Sequence, residues 1–220
     1  MRTEIRCPQF LSASDLQDPP SARHGALPRR EAELLLGEDA VVEALEEGEW
    51  VQPWRGVLVP AELAAEPRTR AAAALLRADD HAVLSGATAV AVHGCGPVPG
   101  DVHLTVPYGC ELRSQDGLVV RQSWIREVDV HLLDGLRVHA LDVALADLLC
   151  LGPQRRALDC LERALAALGD RAERFRALVG QRLDQRRDRR GTRQATELLR
   201  LAWADPALAD PTPVLAGGTR

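Results

Sequence analysis

The sequence predicts an α+β protein, and three observations point there. Apolar residues recur at helical spacing in several separate stretches, such as Leu158, Leu161, Leu165 and Leu168. Between them lie short runs of β-forming residues bounded by Gly, Pro and Asp, such as Val102–Val106 and Leu136–His139. Hydrophobic residues make up 46% of the 220 and charged residues 27%, the ordinary range for a chain that buries a core.

Residues 1–27 hold Pro8, Pro19, Pro20 and three serines with few periodic apolars, and read as a flexible arm. Pro28 suits the first turn of a helix over 28–36, which Gly37 interrupts. A second short helix is expected over 38–47, with Val41, Val42 and Leu45 on one side, Glu38 and Asp39 at its positive end, and Gly48 after it. The run 49–60, rich in Trp and Val and punctuated by Pro53 and Gly56, reads as a hairpin of strands near 49–52 and 56–59. Two short helices followed by such a hairpin predict a winged helix-turn-helix over 28–60.

Further on, an Ala-rich helix is expected over 68–79 and another over 85–92 with Ser85 as its cap. Strands follow at 102–106, 118–122, 128–133 and 136–139, the last two joined by Asp134-Gly135, a hairpin signal. Helices are expected over 141–150, from Pro153 to 168, over 171–179 and over 192–203. The tail 204–220, with three Pro and two Gly, should fray. The second domain, 68–203, is thus expected to hold a small, mostly antiparallel sheet closed by C-terminal helices.

Charge is unevenly distributed. Residues 1–60 hold 6 Arg against 11 acids, and residues 151–203 hold 13 Arg against 7. All 27 basic residues are Arg, which fits GC-rich coding and weakens any single Arg as a functional signal. The front of the chain repels nucleic acid and only the rear third attracts it. Nowhere do 18 apolar residues run without a charge, which speaks against a membrane span. The first 30 residues lack a signal-peptide core, and the five cysteines have no CxxC spacing. The chain reads as cytoplasmic, with reduced thiols.

Catalytic signals are poor. Ser85 stands in no nucleophile elbow, Asp101 and His103 share a strand without a nucleophile, and Asp79-Asp80-His81 reads as a turn. Gly94-Cys95-Gly96-Pro97 is not a phosphate cradle, because proline lacks the N–H such a loop uses. His93, Cys95, His103 and Cys110 are legal zinc ligands, but their spacing matches no ligand pattern. The expectation is a protein that is not an enzyme and carries no cofactor or metal.

Five segments carry a family resemblance: GEWVQPWRGVLVP at 48–60, AVLSGATAVAVHGC at 82–95, PGDVHLTVP at 99–107, LDGLRVHALDVALADLL at 133–149 and DRRGTRQATELLRLAWADP at 188–206. In this order and spacing they resemble the AbiEi family of type IV antitoxins in its actinobacterial form. The resemblance implies a winged helix followed by an α/β antitoxin domain, with a nucleotidyltransferase-type toxin as the protein counteracted. Some relatives add a nuclease-like C-terminal domain, so a remnant of such a fusion is a third, weaker reading. In the family the winged helix binds the operon's own promoter through a basic reading helix. Here residues 38–49 hold Glu38, Asp39, Glu43, Glu46, Glu47 and Glu49 and no Arg. Those carboxylates would repel phosphate.

Two functional surfaces are therefore expected. Glu38, Asp39, Glu43, Glu46 and Glu47, with Trp50 and Trp54 beside them, would bind a protein partner. Should DNA be bound by a transcriptional autorepressor, Arg55 at the wing turn and the cluster Arg182, Arg186, Arg187, Arg189, Arg190 and Arg193 would supply the charge. The bland alternatives are a wing core for the two Trp and a solvated linker for the Arg cluster, with Asp184 and Asp188 pairing locally.

Overall fold

The structure is a computed structural model that describes residues 24–78 and 80–202. Most of the expected arm, Asp79, Trp203 and the expected tail lie outside the described residues. The fold is α+β, with a small antiparallel sheet followed by a larger mixed one.

The first unit runs β1 (Leu27–Pro28), α1 (Arg29–Leu36), α2 (Glu38–Glu46), β2 (Trp50–Trp54) and β3 (Val57–Pro60). Its sheet has the order β1-β3-β2, antiparallel throughout. β1 corrects the boundary of the expected arm: Leu27 pairs with Leu58 and is buried, so it belongs to the first sheet. The register slips between Val51 and Trp54, where Pro53 has no N–H to give to a ladder. Side chains alternate along β3. Leu58 packs with Leu27, Ala32, Val41 and Trp50 in a cluster under α1 and α2, whereas Val57 and Val59 join the main core. β3 is thus buried on both faces, and through Val57, Val59 and Trp54 the first unit shares the main core with the second expected domain.

The link is α3 (Pro67–Ala78), whose Ala71, Ala72, Ala73 and Ala74 are all buried. Small side chains let it lie close to both sheets. Next come β4 (Val83–Leu84), α4 (Gly86–Val92), β5 (Val102–Val106), β6 (Leu118–Gln122), β7 (Val130–Leu133) and β8 (Leu136–His139). Their order is β6-β5-β4-β8-β7. In the central strands β4 and β5, neighbours pointing to opposite faces are buried, Val83 with Leu84 and Leu104 with Thr105, so the middle of this sheet is covered on both sides. Asp134 (φ 49°) and Gly135 (φ 77°) make the two-residue β7–β8 turn that the sequence predicts.

The expectation of a mostly antiparallel sheet is corrected. β4–β5 and β7–β8 are antiparallel, but β4–β8 and β5–β6 are parallel. The turn before β6 does not join two strands. It closes on itself through a Gln115–Leu118 bridge, after residues 107–117 have carried the chain back to the start of the sheet.

Four helices finish the fold: α5 (Leu141–Leu151), α6 (Gln154–Leu168), α7 (Ala172–Gln185) and α8 (Thr192–Leu201). α7 runs past Gly180 to Gln185 because Val179 and Leu183 stay on its buried face.

Candidate functional site

α2 is held by one narrow stripe. Val41 is buried, and Ala44 and Leu45 pack partly against the cluster around Trp50. The rest of its circumference faces solvent, so Glu38, Asp39, Glu43, Glu46 and Glu47, and Glu49 just beyond, are all exposed. None of the six carboxylates makes a side-chain hydrogen bond or an ion pair among the described residues.

Their positions differ in effect. Glu38 and Asp39 lie in the first turn, where the helix dipole favours negative charge. Glu43, Glu46 and Glu47 stand three and four residues apart at the negative end, with no basic residue in the last turn. Like charges at that spacing destabilise a helix by about 0.2–0.5 kcal/mol per pair, and the dipole adds to this. An external cationic surface would relieve both.

Sequence reasoning missed the apolar part of this face. Leu34 and Leu35 of α1 are 78% and 53% exposed, and Val42 of α2 is also exposed. All three stand within a few residues of the α1–α2 junction. Exposed apolar side chains bordered by charge mark protein-contact surfaces.

Trp50 and Trp54 must be taken off the expected contact surface, because both are buried. Trp50 fills the cluster under α1 and α2. Trp54 lies in the main core and donates from Nε1 to the Asp116 carbonyl at 3.1 Å.

The expected phosphate cluster is likewise corrected at two positions. Arg182 points inward, with Nε 2.5 Å from Asp142 Oδ2 and Nη2 2.9 Å from Asp129 Oδ1. The second contact is an ion pair outside hydrogen-bond geometry, since Asp129 Oδ1 has no hydrogen-bond partner. Arg126 holds the other Asp129 oxygen at 2.6 Å. Arg186 is ion-paired with Asp147 of α5. These two guanidinium groups clamp α7 and the loop after it to the body, and cannot serve a duplex. Arg190 pairs with Asp188 at 2.9 Å, and Arg189 donates to the Asp184 carbonyl at 3.0 Å. Arg187 and Arg193 are exposed and have no partner among the described residues.

The loop itself is fixed. Gly191 (φ 71°) packs so closely on Cys150 that a Cβ there would overlap its carbonyl oxygen. Gln194 donates to the Leu149 carbonyl at 3.3 Å. Arg55 is exposed at the wing turn. Arg29 N donates to the Gly56 carbonyl at 2.9 Å, which sets the first turn of α1 beside it.

The buried titratable groups serve the interior. His93 donates from Nε2 to the His139 carbonyl at 2.9 Å, which fixes the tautomer that carries its proton on Nε2. Burial pulls His93, His103 and His139 below the ordinary histidine value. Burial also pushes the Cys95 and Cys160 thiols up to about 11. Among the described residues no group of three or more His, Cys, Asp or Glu could hold a metal ion. A cavity of about 160 Å³ touches Trp54, Arg70, Asp116 and Gly117, well below the roughly 300–1,000 Å³ of cofactor and ligand pockets. No described helix is long and apolar enough to cross a membrane.

No protein-family model matches the chain, and no curated protein matches it. Among solved structures, it is similar to the crystal structure of the RV2827C protein from Mycobacterium tuberculosis. The TM-score is 0.53 at 19% sequence identity, covering 84% of this chain and 74% of that one. At that identity the likeness is one of fold.

Proposed function

We propose that this chain is a non-catalytic regulatory protein of the AbiEi antitoxin kind, which works by docking a basic protein partner on the exposed face of α1 and α2. In this reading the first unit is a winged helix: α1 and α2 stand between β1 and β2, the sheet order is β1-β3-β2, and the β2–β3 hairpin is the wing. α2 then occupies the place of a reading helix. The observation that carries the reading is the unrelieved repulsion among Glu43, Glu46 and Glu47 at the negative end of α2, together with the exposed Leu34, Leu35 and Val42 on the same two helices. A nucleic acid cannot relieve it, and an Arg- or Lys-rich protein surface can. A nucleotidyltransferase-type toxin is the partner that the family resemblance suggests.

Pull-down of such a toxin by the full chain tests this. The charge reversal E43R/E46R/E47R should abolish capture and leave the melting temperature unchanged or slightly raised. Undiminished capture would remove the proposal.

A second reading, a DNA-binding autorepressor, is favoured by one observation. The Arg29 N to Gly56 carbonyl bond puts Arg30 and Arg55, both exposed, at the same corner of the wing. It predicts a promoter gel shift that fades with salt and is lost in R30E/R55E. No shift at low salt removes it.

A further inference from the structure

We propose that β7 is a pairing edge, to which a second copy of this chain adds its own β7 antiparallel, making one continuous sheet across a two-fold dimer. The two edges of the larger sheet are treated differently by the fold. At the β6 edge, Val120 N donates to Ser114 Oγ at 2.9 Å and Ser114 Oγ donates to the Val120 carbonyl at 3.3 Å, so the chain covers its own outer strand. At the other edge β7 has β8 as its hydrogen-bonded neighbour and, among the described residues, no strand beyond it.

The hairpin geometry fixes which groups face outward. Leu133 and Leu136 flank a two-residue turn, so they exchange both backbone bonds. Pairing then alternates along the strand. His131 bonds toward Val138, and Ala140 N donates to the Asp129 carbonyl at 2.7 Å, which keeps the same phase. Val130 and Leu132 therefore turn their N–H and C=O away from β8. No hydrogen bond among the described residues reaches those groups.

Side chains favour the same outcome. Leu132 is 69% exposed, and Val128, just before the strand, is 80% exposed. Natural edges are blunted by charge, proline, a bulge or shortness; Val130–Leu133 carries no charge, proline or bulge, and its four residues are enough for the two outward-facing positions Val130 and Leu132. The charges bordering the strand are already paired: Arg126 with Asp129 at 2.6 Å, Glu127 with Arg137 at 2.9 Å and Asp134 with Arg68 at 2.7 Å. An approaching copy thus meets no net charge. A two-fold axis at His131 sets Leu132 of each copy opposite Val130 of the other, and each such pair exchanges both backbone bonds. The same surface pairs with itself, as closed two-fold dimers require. None of this depends on the partner face of α1 and α2.

Sedimentation velocity of the full chain from micromolar to near-millimolar concentration tests the edge, at low and high salt. The expected result is a concentration-dependent monomer–dimer equilibrium that salt does not dissolve. Leu132→Pro removes an outward N–H that β8 does not use, and Leu132→Lys places a charge on the edge without touching the backbone. Both should be monomeric throughout, with Leu132→Lys keeping the wild-type melting temperature. In wild type, exchange of the Val130 and Leu132 amides should slow with rising protein concentration, by about tenfold or more. A wild type that stays monomeric over the range, a dimer that survives Leu132→Lys, or one that high salt dissolves would each overturn the proposal.

Discussion

Replacing Arg182 by Ala removes the cation that faces two buried carboxylates. Asp142 would lose its partner at 2.5 Å and Asp129 one of two. Removing one member of a buried ion pair destabilises by about 3–5 kcal/mol, because the remaining charge is left unpaired. The Arg182 side chain is 21% exposed and Arg126 still holds Asp129, so the lower end applies, about 3 kcal/mol. For a chain of this size each kcal/mol moves the melting temperature by about 2–4 °C, so Arg182→Ala should melt about 6–12 °C lower. Thermal and urea unfolding followed by circular dichroism measure this. The second substitution Asp142→Asn deletes the orphaned charge, and the double variant should recover at least half of the loss. A loss below about 1 kcal/mol, the range of exposed ion pairs, would refute the reasoning, and so would a double variant no better than the single. Arg182 would then be an available surface cation after all.

Gly191→Ala should be severe: the left-handed backbone alone disfavours Ala by about 1–2 kcal/mol, and overlap with the Cys150 carbonyl adds to it, for a total of about 3 kcal/mol or more in chemical unfolding. Stability should also fall with acidity. A histidine whose folded value is lowered binds its proton more readily when unfolded, so the contribution of His139 is complete well above about pH 6.5 and is lost as pH falls below it. His139 Nδ1 is buried without a hydrogen-bond partner among the described residues, and urea midpoints between pH 8 and pH 5 should show a shallower decline in His139→Asn. Cys95 and Cys160, pushed up to about 11, should resist alkylation at pH 8 in the native chain and react once it is unfolded, as peptide mass mapping would show.

Much of the fold was legible because its signals are local. Gly37 and Gly48 bracket α2, Pro153 precedes α6, and Asp134-Gly135 marks the β7–β8 turn. β1 and β4 were not legible: each is two residues long and exists only through partners far along the chain. The parallel β5–β6 pair was missed for the same reason, since only the return of the chain over residues 107–117 sets the two strands side by side.

The surfaces divide similarly. The carboxylates of α2 could be read directly, because a helix with one apolar stripe must expose the rest. In the run Leu34-Leu35-Leu36 sequence alone does not say which leucines face out, and the fold exposes the first two. The Arg cluster misled because Asp129, Asp142 and Asp147, which neutralise Arg182 and Arg186, lie 39–53 residues earlier in the chain. Charge counted along a segment overstates charge at a surface whenever a distant element supplies the counter-ion.

The affinity of the full chain for a nucleotidyltransferase-type toxin, measured by titration calorimetry for wild type and for E43R/E46R/E47R, tests the partner-docking account most directly. The account predicts wild-type binding that weakens with salt and a loss of about tenfold or more in the folded variant, equivalent to about 1.4 kcal/mol. Equal affinity in the two proteins would contradict it.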